Sequence, residues 1–524
     1  MSRKLFTILT SLIVALGGFL LGFDSAVISG AIPFYRSTFG LDSGSWLLGF
    51  SVSSIILGAI VGNLMAGKLA DRFGRKRVLI FTAALFTISA IITAMAMNIE
   101  TFIIARIIGG IGVGMAILVA PMYIAEIAPR NLRGTLVTFN QLNIVLGISV
   151  AYFSNYYIQQ VILESDLKWR VMLGVEAVPA LLYFFLLLLV PFSPRWLAQK
   201  GRKEEARTIL DRVHGATQAE VEIEEIEQSI ARDQNKEHAR WREVFTKKMR
   251  VVLIIGFGLG FFQQITGINA IFYYAPMIFE MTGGGTDTSF IQAAILGVTN
   301  VVMTVVAIFL IDRLGRKPLL YIGAAGIAIS LSIVGFSFQN ARYNLSPENF
   351  VELKQEVQMT LDGEEHLQHI ANLSAIEGKE FTKEVDFFRE VKSSVGQKTY
   401  NVFKEVILKH SITINPVFVL LGLILFVASF AISFGPVMWA LFSEIFPNRL
   451  RALAISIVGF WNSVVSFSVT TVFPAQLEFL GSGTTYFTYA FFGLLAFFFV
   501  HYYVPETKGK SLEELQKQLV SDRI

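Results

Sequence analysis

The sequence predicts an all-α membrane protein, with twelve transmembrane helices in two pseudo-symmetric six-helix bundles. Three observations predict it. Hydrophobic residues make up 53% of the 524 residues against 16% charged, with a mean hydropathy of +0.57, too apolar for a soluble chain of this length. The apolar residues gather into about twelve runs of 18 or more, long enough to cross hydrocarbon as helices and lacking the alternation of barrel strands. The third observation is a duplication: Gly67-Lys68-Leu69-Ala70-Asp71-Arg72-Phe73-Gly74-Arg75-Lys76 is echoed by Ile311-Asp312-Arg313-Leu314-Gly315-Arg316-Lys317, each copy wedged between apolar stretches.

In order, the runs fall at roughly 5–35, 46–69, 79–97, 101–123, 135–158, 170–191, 250–280, 289–310, 318–338, 413–442, 452–474 and 485–504. They divide the chain into a first bundle over 1–191, a linker over 192–249, a second bundle over 250–338 and 412–504 interrupted by an insert at 339–411, and a tail over 505–524. Short loops set the orientation. Lys68, Arg72, Arg75, Lys76 and Arg77 crowd one loop, and Arg130, Arg133, Arg195, Arg313, Arg316, Lys317, Arg449 and Arg451 fall on the same side. The opposite loops are poor in positive charge, so the positive-inside rule places the basic loops, both termini and the linker in the cytoplasm of a cell (inner) membrane. Met1-Ser2-Arg3-Lys4 precedes an apolar run without a convincing cleavage site and reads as the start of an uncleaved first span.

The linker carries Ile223, Ile226 and Ile230 at helical spacing beneath many carboxylates, the pattern of short amphipathic helices. The insert carries twelve acidic and nine basic residues, a balance of −3 that suits the far side of the membrane. Its His366 and His369, one turn apart with Glu365 beside them, have the spacing of a metal or pH-sensing cluster; the competing reading is a solvated helical face. With no cysteine, this segment must fold without disulfides, and thiolate metal sites are excluded. No metal or other cofactor is expected. The net charge of +4 mostly reflects the loop bias and implies no nucleic-acid partner.

Three ionisable residues interrupt apolar spans: Asp24 in the first, Arg106 in the fourth and Glu176 in the sixth. A charge at mid-bilayer costs at least about 2.5 kcal/mol, so such groups face the protein interior and find partners. One cation with two carboxylates forms a natural triad, in which Asp24 carries a proton, Arg106 modulates it and Glu176 is a secondary member. A static ion pair joining spans is the structural competitor. At the basic end, Asp71, Arg75 and Glu126 recur as Asp312, Arg316 and Glu444, with Arg133 and Arg449 near the two glutamates, and these acid and arginine sets read as a symmetric cytoplasmic gate. Simple topological anchoring is the alternative.

Mid-span amides are the next anomaly: Gln141 in the fifth span, Gln263, Gln264 and Asn269 in the seventh and Asn300 in the eighth, with Tyr273, Trp439 and Trp461 nearby. An amide offers donors and acceptors together, as adjacent hydroxyls on a polyol require, and aromatic rings supply flat faces for the C–H side of a sugar. Gln263-Gln264-Ile265-Thr266-Gly267-Ile268-Asn269 and Tyr273-Tyr274-Ala275-Pro276 are rich in helix-weakening residues, so the seventh span is expected to be broken. Interhelical hydrogen bonding is the competing use of these amides.

These motifs resemble the sugar porters of the major facilitator superfamily, in particular the proton-coupled, xylose-type symporters of bacteria. The resemblance rests on Gly22-Phe23-Asp24, both D-R-x-G-R-K motifs, Arg106 to Gly110, Pro121 to Arg133, Pro191 to Trp196, Gln263 to Asn269, Gly435 to Trp439 and Pro505 to Gly509. It implies the major facilitator fold and alternating-access symport of a monosaccharide or related polyol with a proton, Asp24 and Arg106 being the coupling pair. It also implies sugar contacts at Gln141, Gln263, Gln264, Asn269, Asn300 and Trp439. Facilitative relatives typically have an amide in place of the first acid, so Asp24 favours symport over a uniporter or a membrane sugar sensor; nothing suggests an enzyme. Leu21, Ile148 and Phe460 depart from the family pattern, so the particular sugar does not carry over.

Overall fold

A computed structural model of the chain describes residues 3–42, 44–234, 241–359, 363–447, 449–510, 514–515 and 519. Among them are twelve helical segments long and apolar enough to cross a membrane: Arg3–Thr38, Trp46–Phe73, Arg75–Ala94, Ile99–Ile127, Thr135–Val161, Ser165–Leu189, Lys247–Glu280, Gly285–Leu314, Arg316–Gln339, Pro416–Ile445, Arg451–Leu480 and Ser482–Tyr503. Each expected span is present, mostly extended by a few residues beyond its apolar run, because backbone hydrogen bonding does not stop where hydropathy falls.

The chain packs as two compact units. The first comprises Met1–Val27, Ser53–Ala151 and Arg170–Arg240; the second comprises Ile28–Val52, Tyr152–Trp169 and Trp241–Ile524. The unit boundaries therefore cut through the first, second, fifth and sixth spans.

In the first unit, Val14, Phe86, Val119, Tyr123, Tyr183 and Leu187 belong to one buried core. Small residues bring its helices close. A β-carbon on Gly58 would stand 2.1 Å from the Ile107 carbonyl oxygen, and one on Gly110 would stand 2.1 Å from that of Ile55, so the second and fourth spans meet backbone to backbone. Gly22 meets the Ile144 carbonyl of the fifth span in the same way, at 1.9 Å. These contacts set the depth at which Asp24 and Arg106 lie. In the linker, Ile223, Ile226 and Ile230 of the helix Ala216–Gln234 pack against Trp196, Leu197, Ala198 and Ala206.

In the second unit the seventh span is broken. One helix ends at Ile265, Gly267 turns through φ +89°, and the next runs Ile268–Glu280 with Tyr274 out of helical geometry ahead of Pro276. The insert is a folded subdomain, built from a three-stranded antiparallel sheet (Glu380–Phe381, Arg342–Asn344, Ile412–Thr413 in spatial order) and helices Pro347–Gln358, Gly363–Ala371, Glu384–Val395 and Gln397–Lys409. Phe350, Leu353, Phe387, Val391, Phe403 and Ile407 are buried in it. A segment without disulfides is thus held by an apolar core.

The histidine cluster does not form in the insert. His366 is buried, its Nδ1 2.9 Å from Thr399 Oγ1 and its ring against Phe403, whereas His369 is exposed. The face is therefore not uniformly solvated either: residues three apart on a short helix straddle its buried and exposed sides. The Glu365 side chain lies outside the described residues.

Candidate functional site

The three mid-span charges converge in the first unit. Arg106 Nη1 donates to Asp24 Oδ1, and both residues are 2% exposed. Gly109, one turn beyond Arg106, leaves room for Ser89: a β-carbon there would lie 2.4 Å from Ser89 Oγ, while Asp24 Oδ2 is at an ordinary contact distance of 3.7 Å. Glu176 is 4% exposed and falls at the break in the sixth span, between helices Ser165–Gly174 and Ala177–Leu189, within electrostatic reach of both Asp24 and Arg106.

The group is only half satisfied. Arg106 Nε and Nη2 and Glu176 Oε1 have no hydrogen-bond partner among the described residues. A buried static ion pair that held helices together would use its remaining donors. Two guanidinium nitrogens and one carboxylate oxygen of charges within electrostatic reach of each other are thus idle among the described residues.

The seventh-span amides form one network in the second unit. Gln263 Nε2 donates to the Phe434 carbonyl at 2.8 Å; Gln264 Nε2 donates to Gln263 Oε1 and to Asn462 Oδ1, each at 3.1 Å. Asn462 Nδ2 returns a bond to Gln263 Oε1 at 2.8 Å, and Asn269 Nδ2 donates to Gln264 Oε1 at 2.9 Å and Ser466 Oγ at 2.7 Å. Reading the sequence alone missed Asn462, which stands beside Trp461, the residue singled out there. Trp461 instead gives its indole N–H to the Phe257 carbonyl at 3.2 Å. Asn300 and Tyr273 are buried, Trp439 is 41% exposed with its edge toward Phe442, and Gln141 lies half-buried in the first unit.

At the basic end the duplicated motifs fold alike, each within its own unit. Arg75 Nη2 lies 2.9 Å from Glu126 Oε1, and Arg316 Nη2 lies 2.7 Å from Glu444 Oε1. In both copies Nη1 caps a helix carbonyl, Ala70 at 3.1 Å and Ile311 at 3.2 Å. Both turns need a glycine, with φ +91° at Gly74 and +97° at Gly315. Asp71 and Asp312 reach the same arginines at 3.2 and 3.5 Å but are largely exposed. Arg449 pairs with Glu243 at 2.8 Å rather than with Glu444, and the side chain of Arg133 lies outside the described residues. Each glutamate also takes a hydroxyl that was not singled out from the sequence, Ser193 on Glu126 and Thr507 on Glu444.

A family model for "Sugar (and other) transporter" matches residues 10–347 and 402–519. The chain belongs to this family. It is 36% identical over 515 residues to the arabinose-proton symporter of Bacillus subtilis (strain 168), covering 98% of this chain and 95% of that one. To the D-xylose-proton symporter of Escherichia coli (strain K12) it is 35% identical over 542 residues, covering 97% and 94%. Among solved structures it is similar to the inward open conformation of the xylose transporter XylE from E. coli, at a TM-score of 0.74 and 33% identity over 97% of this chain and 99% of that one. The fold is the one the sugar porters use, and the family is one of transporters rather than enzymes. Residues 348–401 lie outside the family match.

Proposed function

We propose that this sugar-transporter family member is a proton-coupled symporter of a monosaccharide or related polyol, working by alternating access, with Asp24 as the proton carrier. The observation that carries the reading is the buried, half-satisfied group of Asp24, Arg106 and Glu176. A proton arriving on Asp24 removes the charge that holds Nη1, and the guanidinium, with Nε and Nη2 already free, turns toward Glu176. One proton thereby exchanges one ion pair for another without ever leaving the arginine uncompensated. Sugar binding then shifts the equilibrium through its different affinity for the two states.

The sugar is held by the amide network of Gln263, Gln264, Asn269 and Asn462 of the second unit, with Asn300, Tyr273 and Trp439 completing the contacts there; Gln141, in the first unit, is a separate candidate contact. These amides presently satisfy one another, so hydroxyls of a sugar enter by exchange of hydrogen bonds rather than by new desolvation. The names of the arabinose and xylose relatives support a sugar as cargo. The orientation we propose has the basic loops, the linker and both termini in the cytoplasm and the insert outside, which the charge bias of the short loops supports. The test is sugar-induced proton uptake by proteoliposomes in weak buffer. Symport raises the external pH on sugar addition; an unchanged pH during sugar uptake would mean uniport.

A further inference from the structure

One face of the last helix of the insert, Gln397–Lys409, is turned toward the far end of the first span and the loop after it. Gln397, Asn401 and Glu405 recur every four residues, on one face of that helix. Glu405 Oε1 lies 2.7 Å from Arg36 Nη2, and Arg36 is 4% exposed. Asp42 Oδ1 accepts from Gln397 Nε2 at 2.9 Å and from Asn401 Nδ2 at 2.5 Å. The same helix turns Phe403 and Ile407 into the core of the insert, so the polar grip is braced from behind. The partners are matched in kind, acid to guanidinium and amides to carboxylate.

The joint is separable. A half-open pocket of about 250 Å³ adjoins it, lined by Gly44, Tyr400, Lys404, Met277, Leu477 and Glu478, so this side of the joint is open rather than closed by a packed core. The polar contacts to the first span and its loop are thus few and specific. Arg36 is also on the same helix as Asp24, twelve residues or roughly 18 Å away.

We propose that the helix Gln397–Lys409 is a latch of the transport cycle, with Glu405, Gln397 and Asn401 holding Arg36 and Asp42 so that the far ends of the first two spans stay docked, and releasing them when the site opens toward the insert side. Gln397 and Asn401 lie in the stretch outside the family match, whereas Glu405 lies inside it. The inference rests on the alternating-access reading above.

The absence of cysteine makes the test direct. Thr471, 2% exposed, lies under the second span, where a β-carbon on Gly49 would come 1.8 Å from its carbonyl oxygen. In a Thr471→Cys chain in intact cells, the rate of reaction with a membrane-impermeant maleimide reports release, and Lys379→Cys, on the exposed surface of the insert, establishes that the reagent reaches that side. Glu405→Gln should raise the Thr471→Cys rate about three- to tenfold, and the exchange Arg36→Glu with Glu405→Arg should bring it back toward the parent. Unchanged labelling in Glu405→Gln, or a charge exchange that labels as fast as the single variant, overturns the latch. If Glu405→Gln does not fold, Gln397→Ala with Asn401→Ala removes only the Asp42 contacts and should also speed labelling; no change there overturns it equally. Labelling needs no sugar, so a parent chain that fails to exchange sugar in proteoliposomes would count against the transport reading while the latch result stays readable.

Discussion

Arg106 gives one nitrogen to Asp24 and leaves two others unused, although both residues are 2% exposed. In a buried site an idle donor costs on the order of 1–3 kcal/mol. Under the proposed cycle the idle nitrogens would bond to Glu176 once Asp24 is protonated, and the variants below test that proposal.

Replacing Asp24 with Asn removes the titratable group but keeps its shape. Asp24→Asn should abolish sugar accumulation driven by a pH gradient while equilibrium exchange of labelled sugar in proteoliposomes persists. Accumulation against a gradient in this variant would assign the proton to another residue.

Glu176→Gln keeps an oxygen for Arg106 but removes the charge that receives it. Exchange should survive and proton-driven accumulation should slow about tenfold, an intermediate phenotype that Asp24→Asn does not show. Wild-type accumulation in Glu176→Gln would reduce this residue to a structural role.

Asn462 couples Gln263 and Gln264 through two hydrogen bonds, at 2.8 Å and 3.1 Å, and donates a third to the Gly260 carbonyl at 2.9 Å. Asn462→Ala should raise the KM for sugar about tenfold, the worth of one or two hydrogen bonds to a polar cargo, and leave proton binding in the absence of sugar unchanged. A normal KM would remove the network from the sugar site.

The duplicated ion pairs differ in burial, and the difference predicts an order. Arg75 and Glu126 expose 5% and 10% of their side chains, Arg316 and Glu444 17% and 20%. Removing either arginine strands a carboxylate, which costs about 3 kcal/mol when fully buried. Arg75→Ala should therefore lower the melting temperature in detergent more than Arg316→Ala. The reverse order would show that burial does not set the cost here.

Glu405 carries a pH signature. Burial pushes its carboxyl up, but Arg36 and Lys404 more than offset this and hold it below the ordinary 4.5 of a glutamate; Glu280 and Tyr400 also lie within reach of Arg36. A depressed carboxyl stabilises the folded contact above its unfolded value and loses that contribution as pH falls through its lower folded value. Labelling at Thr471→Cys, taken relative to Lys379→Cys at the same pH so that the falling thiolate fraction cancels, should stay flat from neutral pH through the ordinary glutamate range and rise only below it. A rise centred above pH 5 would detach Glu405 from the latch.

Two of the sequence expectations needed long-range contacts to become complete. The duplicated basic motif foretold matched ion pairs, yet nothing local to it announced that Ser193 and Thr507, 67 and 63 residues from their glutamates, would each complete one. Asn462 escaped because its neighbour Trp461 is the more conspicuous residue type, and a step of one residue on a helix turns a side chain by about 100°.

The sequence by itself determined the class of this protein, its twelve spans, its duplicated plan and the presence of three charges that hydrocarbon would not tolerate alone. Those follow from solvation, which acts on each segment independently. The tertiary structure alone decided that Arg106 bonds Asp24 through one nitrogen and leaves two without a partner among the described residues, that the amides close on Asn462, and that the insert reaches back to Arg36 and Asp42. Those depend on which helix faces meet and at what depth, and glycine contacts such as Gly58 with Ile107 and Gly22 with Ile144 set that depth through close packing, which no single segment encodes.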